Sequence, residues 1–194
     1  MTRALLLASA LVLAACGGRP DHLAPEDDLA GLDARLLDRD SAAVAFPDDL
    51  AGQPVVLTAV YTNCPDVCIM TMANMKRVRQ ALGADTARVR FATLTFDPAR
   101  DTPSTLRRYA GSWGVGDDWR LLTGDSTEVA RVMDRIGVRV EVSRRDTLAS
   151  GEPNYLVDHS DKVLLLDAEG RVVETYGGSA APPAMIAEDA RALL

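Results

Sequence analysis

The sequence is poor in several features on which common kinds of binding site depend. Its 194 residues carry a formal net charge of −7 and include only two histidines and three cysteines. The acidic balance offers no basic surface for nucleic acid and disfavours a strongly anionic substrate. The chain also lacks internal repeats and low-complexity tracts. With 47% hydrophobic and 25% charged residues, it has the composition of one globular domain with a core.

The chain also lacks long hydrophobic runs, apart from a short one at the N-terminus. Residues 4–15, ALLLASALVLAA, are too few to span a bilayer as a helix, but they match the apolar region of a signal peptide. The run ends in LAAC followed by two glycines, the pattern of a bacterial lipobox. We therefore expect residues 1–15 to be a lipoprotein signal peptide and Cys16 to carry the lipid. The mature protein would then be anchored to a bacterial membrane on its periplasmic side. The alternative is an ordinary secretory signal in which Cys16 has no role.

The segment that follows has the composition of a linker. Residues 17–33 mix glycine, proline and acidic residues without hydrophobic periodicity. Such a composition predicts a flexible chain. We therefore expect residues 16–33 to form a lipidated N-terminus and spacer, and residues 34–194 to form the folded domain.

Within the domain, strand patterns alternate with helix patterns. Residues 55–61, VVLTAVY, are apolar and β-branched and predict a buried strand, and residues 68–82 predict a helix. Further strands and helices lead to residues 155–178, which predict two strands joined by a turn at residues 167–170. A terminal amphipathic helix follows. This order predicts a single α/β domain with a thioredoxin-like fold: a central mixed β-sheet flanked by helices, with a C-terminal β-hairpin and helix.

Two of the three cysteines lie four positions apart in the segment YTNCPDVCIM. Cys64 follows the predicted strand and Cys68 begins the next helix, so both lie at the carboxyl end of a strand, where functional groups collect in open α/β sheets. A helix N-terminus favours the thiolate, which increases nucleophilicity and metal affinity. If Cys16 is acylated in an oxidising compartment, one thiol pair remains. That pair forms a disulfide, holds a metal, or does both in turn.

The histidines decide between these possibilities, because two thiolates do not fix a metal by themselves. His22 lies in the predicted spacer, where we expect it to be exposed to solvent. His159 lies where a loop enters a strand of the C-terminal hairpin, and in a thioredoxin-like fold that loop faces the cysteines. A Cys2His set suits near-trigonal Cu(I), whereas zinc would require a fourth ligand or a water. The alternative is a structural disulfide beside a core histidine.

Three further side chains are weaker candidates for this site. Met72 and Met75 lie four and seven positions after Cys68, and thioethers ligate Cu(I). Methionines at helical spacing more often fill a core, which is the interpretation we favour. Asp97 ends a predicted strand near the site. It is a candidate for tuning the site from outside the ligand set, with turn capping as the alternative.

Three ordered motifs carry a resemblance to a known family. Residues 62–68, TNCPDVC, residues 97–103, DPARDTP, and residues 158–160, DHS before a strand, occur in this order at plausible separations. Together they resemble the Sco/SenC family, the copper-binding thioredoxin-like proteins that help assemble cytochrome c oxidase. The similarity extends from about residue 36 to residue 194.

The resemblance implies a ligand set, a cargo and partners. It implies that Cys64, Cys68 and His159 bind a copper ion, as Cu(I) with Cu(II) as a further state. It implies presentation of copper to the binuclear site of cytochrome c oxidase subunit II, and also reduction of that subunit's cysteines. Other periplasmic copper carriers or thiol reductants would be further partners, and the N-terminal lipid would contact the membrane.

The leading hypothesis is therefore a membrane-tethered copper metallochaperone. An extracytoplasmic thiol–disulfide oxidoreductase that uses Cys64 and Cys68 is the alternative from the enzyme class, and a redox or copper sensor is a third. No catalytic residue is assigned beyond this redox-active pair. His159 separates the first two hypotheses, because disulfide exchange needs no imidazole. The three residues between the cysteines also argue against an ordinary thioredoxin.

Overall fold

A mixed eight-stranded β-sheet forms the centre of the protein in the computed structural model, which describes residues 19–147 and 153–194. The elements follow one another along the chain as β1 (Asp27–Asp28), β2 (Ala34–Asp38), β3 (Ala43–Phe46), β4 (Val55–Val60), α1 (Val67–Leu82), β5 (Arg90–Thr95), α2 (Pro103–Trp113), β6 (Trp119–Gly124), α3 (Ser126–Arg135), β7 (Val140–Thr147), β8 (Pro153–His159), β9 (Lys162–Leu166), β10 (Arg171–Gly177) and α4 (Pro183–Ala192).

The strand order in the main sheet is β1-β10-β9-β4-β5-β6-β2-β3. Strands β4, β5 and β6 are parallel to one another, and every other neighbouring pair is antiparallel. All six residues of β4 are buried, as expected of a parallel strand that is covered on both faces. Helix α1 lies beside α4, and α3 packs against β2 and β6. The predicted α/β architecture, with a central mixed sheet, flanking helices, the hairpin β9–β10 and a terminal helix, is confirmed.

The helices after β5 and β6 begin where local sequence favours it. Thr102 caps α2 by accepting a hydrogen bond from the backbone N–H of Thr105 at 3.3 Å, and Pro103 occupies the first helical position. Asp125 caps α3 in the same way through Thr127 N–H, at 2.8 Å. These caps fix where the loops after β5 and β6 end, at the edge of the sheet where the cysteine loop also lies.

The predicted flexible spacer is wrong for the part of it that the structure describes. Residues 19–33 pack on the domain: the side chains of Leu23 and Leu29 are fully buried, and Asp27–Asp28 add strand β1 to the edge of β10. An ion pair between Arg19 and the buried Asp167, at 3.0 Å, ties the start of this segment to the turn after β9. The folded part of the described chain therefore begins at residue 19 and not at residue 34. The sequence did not show this, because the buried leucines are widely spaced and give no visible periodicity.

The predicted signal peptide, residues 1–15, and the predicted lipidation site Cys16 lie outside the described residues. Within residues 19–147 and 153–194, the structure contains no helix that is both long and apolar enough to cross a membrane.

A second correction concerns the strand that carries His159. The sequence analysis placed this residue where a loop enters the C-terminal hairpin. It is instead the last residue of β8, which pairs with β7 in a separate two-stranded sheet, where His159 lies opposite Val140. The hairpin β9–β10 begins only at Lys162. The alternating pattern of residues 155–159 belongs to β8, so a strand boundary at Ser160 and Asp161 was missed.

Candidate metal centre

The structure brings together the three side chains that sequence analysis proposed as ligands. The sulfur atoms of Cys64 and Cys68 and a ring nitrogen of His159 all lie within 4.8 Å of one another. The Cys68 sulfur is 3.3 Å from Nε2 of His159, and the backbone N–H of Cys68 donates to the Cys64 sulfur at 3.4 Å. Two soft sulfur donors and one imidazole at this spacing can hold a single soft metal ion.

The cysteine loop is fixed to the end of β5 by a buried carboxylate. Asp101 is fully buried and accepts hydrogen bonds from Thr62 N–H at 2.9 Å, from the Thr62 hydroxyl at 2.5 Å and from the Thr95 hydroxyl at 2.5 Å. Burial raises the pKa of Asp101 above its usual range. The loop that carries Cys64 is therefore tied at Thr62, through Asp101, to Thr95 at the end of β5.

The two cysteines differ in their surroundings. Cys64 is half-buried, whereas Cys68 is 1% exposed at the start of α1. Burial, with a smaller contribution from Cys64, raises the pKa of the Cys68 thiol well above its usual range. Burial therefore opposes the stabilisation of a thiolate that the helix N-terminus was predicted to provide. Metal binding at this sulfur would have to displace its proton, so it would be coupled to proton release.

The imidazole of His159 is oriented by the backbone carbonyl of the next residue and by two aromatic rings. Its Nδ1 lies 3.1 Å from the carbonyl oxygen of Ser160. A proton on Nδ1 that is donated to this oxygen leaves the lone pair of Nε2 directed at Cys68. The centroid of the Phe96 ring lies 4.6 Å from that of the imidazole, and the Tyr61 ring is nearly perpendicular to the imidazole, with 6.2 Å between centroids. These contacts favour the orientation that a ligand requires.

The chain after His159 is tied to α1 and to the loop before α4. Asp161 accepts hydrogen bonds from the Thr71 hydroxyl at 2.6 Å and from the backbone and hydroxyl of Ser179, at 2.7 Å and 2.6 Å. A Cβ atom at Gly178 would lie only 2.1 Å from the Asp161 carboxylate, so this position requires glycine. The loop therefore stays close to the helix that carries Cys68.

Asp97 lies next to the site without touching the three candidate ligands. It is 5% exposed and accepts hydrogen bonds from the Tyr155 hydroxyl at 2.5 Å and from Nε of Arg100. Burial and the Asp97 carboxylate raise the pKa of Tyr155 to about 12, so this hydroxyl keeps its proton and donates it. The Asp97 carbonyl also accepts from Asp101 N–H at 2.9 Å, which is a turn-capping contact. Among the described residues it forms no hydrogen bond to Cys64, Cys68 or His159.

The weaker candidates lie elsewhere. Met72 and Met75 are fully buried, as the interpretation of core methionines expected, and the Met72 sulfur lies 3.7 Å from the Thr93 hydroxyl. His22 lies apart from the cluster and is exposed: its Nε2 is 2.9 Å from Asp189, whose carboxylate raises the pKa of the imidazole.

Sequence reasoning gave no role to several residues that build the surroundings of the site. Arg100 and Asp101 belong to the DPARDTP motif, and Tyr155 and Asp161 flank the DHS motif, so the motifs marked their positions without indicating their contacts. What these residues do depends on pairings between segments far apart in the chain, which no local pattern displays.

The cluster opens into a cleft of about 320 Å³ that is lined by Tyr61, Cys64, Pro65, Asp66, Val67, Leu156, Val157, Asp158 and His159. Two exposed apolar side chains, Ile69 and Met70, project from the first turn of α1 beside it, with 49% and 50% of their surface accessible. A larger cleft of about 560 Å³ lies between α3 and the hairpin β7–β8, but neither cysteine lines it. The smaller cleft therefore gives access to two of the candidate ligands, Cys64 and His159.

The fold and this cluster define a class: thioredoxin-like proteins with two cysteines at the start of a helix and a facing histidine. The family model described as SCO1/SenC matches residues 26–194. The chain therefore belongs to the SCO1/SenC family.

Solved structures and a curated relative agree. The structure of Bradyrhizobium japonicum ScoI with copper bound is 30% identical, covers 83% of this chain and 97% of that chain, and superposes with a TM-score of 0.70. Yeast Sco1 with copper bound is 26% identical, covers 80% of this chain and 83% of that chain, and gives a TM-score of 0.66. An SCO2-like protein of Rickettsia felis is 28% identical over 149 residues, which is 75% of this chain and 68% of that protein. The predicted thioredoxin-like fold and the Sco/SenC resemblance are confirmed.

Proposed function

We propose that this protein is a membrane-tethered copper metallochaperone that helps assemble the binuclear copper site of cytochrome c oxidase subunit II. The observation that carries the proposal is the convergence of two sulfurs and one imidazole nitrogen within 4.8 Å. Thiolate and imidazole donors select monovalent copper over harder ions, and three ligands suit its near-trigonal geometry. The copper-bound structures of two relatives support the same cargo.

The unequal exposure of the ligands suggests how copper would leave. Cys64 is half-buried at the mouth of the cleft, whereas Cys68 is almost fully enclosed. An incoming thiolate of an acceptor such as subunit II would approach at the Cys64 side and replace that ligand first. Other periplasmic copper carriers would load the site by the reverse exchange, and the lipid on Cys16 would keep the protein at the membrane.

The same two sulfurs support redox gating. Cysteines this close can close a disulfide, and a disulfide cannot supply two thiolates to a metal. Copper loading should therefore require a thiol reductant. Reduction of the cysteines of subunit II by Cys64 and Cys68 would be a second contribution to the same assembly step.

The decisive experiment compares the two histidines. The reduced protein is titrated with Cu(I), and stoichiometry and X-ray absorption are measured for the wild type, His159→Ala and the matched control His22→Ala. We expect one Cu(I) with sulfur neighbours in the wild type and the control, and weak binding in His159→Ala. Copper surrounded only by oxygen and nitrogen in the wild type would contradict the proposal.

A thiol–disulfide oxidoreductase remains the second candidate, because one half-buried and one buried sulfur is the asymmetry that an attacking and a resolving thiol show. The two functions separate in cells under limiting copper. A folded His159→Ala variant that supports oxidase assembly at the wild-type level would favour the oxidoreductase.

A further inference from the structure

We infer that Arg100 is a positioning residue that sets where His159 stands relative to the two cysteines. The inference rests on the proposed copper site and adds to it a residue that contacts none of the ligands directly. It follows from how the hairpin β7–β8 is attached to the rest of the domain.

The hairpin is held to the domain by side chains. Within the described residues, β7 and β8 form a backbone ladder only with each other. On the C-terminal side of His159 the chain is fixed within three residues, because Lys162 begins β9 and its carbonyl accepts from the Thr58 hydroxyl at 2.7 Å. The backbone N–H of Val157, two residues before His159, also donates to the Tyr61 hydroxyl at 3.5 Å. Both contacts lie close to His159 and still let the hairpin pivot there, so a second attachment, further along β8, restricts the positions that His159 can take.

Arg100 provides that second attachment at Tyr155. Its Nη1 donates to the Tyr155 carbonyl at 3.0 Å, and its Cζ lies 3.5 Å from the centroid of the Tyr155 ring. Its Nε donates a hydrogen bond to the Asp97 carboxylate, which also accepts a hydrogen bond from the Tyr155 hydroxyl. The guanidinium, the carboxylate and the tyrosine thus form a closed set of contacts between the loop after β5 and β8. Because Tyr155 and His159 are four residues apart in one strand, their side chains lie on the same face.

The geometry suits arginine and does not suit lysine. The guanidinium donates in two directions, to a carboxylate and to a backbone carbonyl, while its flat face lies on an aromatic ring. Its Cζ also lies 5.5 Å from the centroid of the Tyr61 ring. Arg100→Lys keeps the charge but loses this combination.

Loss of the attachment should weaken the imidazole ligand selectively. The cysteines remain held by Asp101 and by the start of α1, so both sulfurs stay in place. His159 would sample positions away from Cys68, and bound Cu(I) would be held mainly by two thiolates. Residues that orient a metal-binding histidine typically contribute about 10–100-fold to metal affinity.

The test uses Arg100→Gln and Arg100→Lys, with Arg131→Gln as the matched control. Arg131 binds a carboxylate three residues earlier, Glu128 at 2.8 Å, and a distant backbone carbonyl, Leu32 at 2.6 Å, so it repeats the bonding pattern of Arg100 away from the site. Transfer of Cu(I) to a chromophoric chelator should become about 10-fold more favourable in both Arg100 variants. X-ray absorption should show two sulfurs retained and the nitrogen neighbour reduced. The control should match the wild type in both measurements.

A double variant decides whether Arg100 acts through His159. In the His159→Ala background, Arg100→Gln should cause no further loss of copper. An equal loss in both backgrounds, or wild-type copper retention in Arg100→Gln, would overturn the inference. If Arg100→Gln does not fold, Tyr155→Leu removes the stacked ring and Tyr155→Phe removes only the bond to Asp97, so the same comparison is made with those variants.

A copper-independent measurement separates this inference from the proposed function. Should the wild type bind no Cu(I) through sulfur, the proposed function fails. In that case the inference is tested by NMR of the protein without added copper. Arg100→Gln should shift or broaden the imidazole resonances of His159. Unchanged resonances would overturn the inference.

Discussion

The two halves of the metal centre come from regions that are built differently. Cys64 and Cys68 follow β4, which pairs with β5 and β9 on its two sides in the middle of the main sheet. His159 ends a two-stranded sheet that is attached through side chains. A central strand fixed by backbone hydrogen bonds is harder to displace than a hairpin fixed by a few side-chain contacts. The two sulfur ligands therefore form the fixed part of the centre, and the imidazole forms its adjustable part.

The largest expected difference between the two regions is in amide hydrogen exchange. The buried backbone of β4 should exchange only through global unfolding, with a protection of about 5–15 kcal/mol, whereas β8 should exchange through local opening. Exchange followed by mass spectrometry or NMR should therefore show β8 exchanging orders of magnitude faster than β4. Equal protection of the two strands would break the comparison.

Copper affinity should depend more on the fixed region than on the adjustable one. Cys68→Ser removes a soft ligand that the other sulfur cannot replace, so we expect a larger loss of Cu(I) affinity than the roughly 10–100-fold typical of residues that only orient a ligand. His159→Ala should cost less than Cys68→Ser. Competition with a chelator measures both, and the reverse order would contradict the assignment of the thiolates as the fixed part.

The carboxylate that fixes the cysteine loop should contribute strongly to stability. Asp101→Ala leaves three donors, from Thr62 and Thr95, without their acceptor. Each unsatisfied buried group costs about 1–3 kcal/mol, so the free energy of unfolding should fall by roughly 2–4 kcal/mol because the groups partly relax. Denaturant unfolding measures this loss, and a loss below about 0.5 kcal/mol would show that the loop does not depend on Asp101.

The pH dependence of the same residue has a defined sign. The pKa of Asp101 is raised in the folded protein, so the folded state binds this proton more tightly than the unfolded chain does. Its contribution to stability is then complete below the unfolded pKa and is lost as pH rises through the folded pKa. Compared with Asp101→Asn, which does not titrate, the wild type should lose relative stability as pH rises from about 4.

The smallest expected effect concerns the loop after His159. Gly178→Ala would bring a Cβ atom to 2.1 Å from the Asp161 carboxylate, and overpacking of this kind costs about 1–3 kcal/mol. Gly111→Ala is the matched control, because nothing lies within 4 Å of its Cβ position in α2, and it should stabilise the protein by up to about 1 kcal/mol. Thermal unfolding compares the two, and equal effects would contradict a tight fit at Gly178.

Much of the fold was predictable because its elements have strong local signals. The all-apolar run of β4, the capping residues of α2 and α3 and the turn at residues 167–170 indicate strands, helix starts and a hairpin by themselves. The three candidate ligands were also found from sequence, since cysteine and histidine are rare in this chain.

The rest depends on contacts between distant segments. Residues 19–33 were predicted to be a spacer because their composition is polar, yet two leucines among them are fully buried. The pairing of β7 with β8 and the contacts of Arg100 with Tyr155 join positions far apart along the chain, so neither could be seen in any short window. The raised pKa of the Cys68 thiol could not be predicted either, because it follows from burial that only the assembled core creates.

The attachment of Arg19 to Asp167 determines how the protein would stand on a membrane. Asp167 follows Leu166, which pairs with the first residue of β4, whereas the cysteines follow the last residue of β4. Six residues of strand separate the two ends by about 20 Å. On the proposal that Cys16 carries the lipid, residues 16–18 are a linker that can span at most about 11 Å. On that proposal, the domain would stand with its Asp167 end towards the lipid headgroups and its cleft facing away from them.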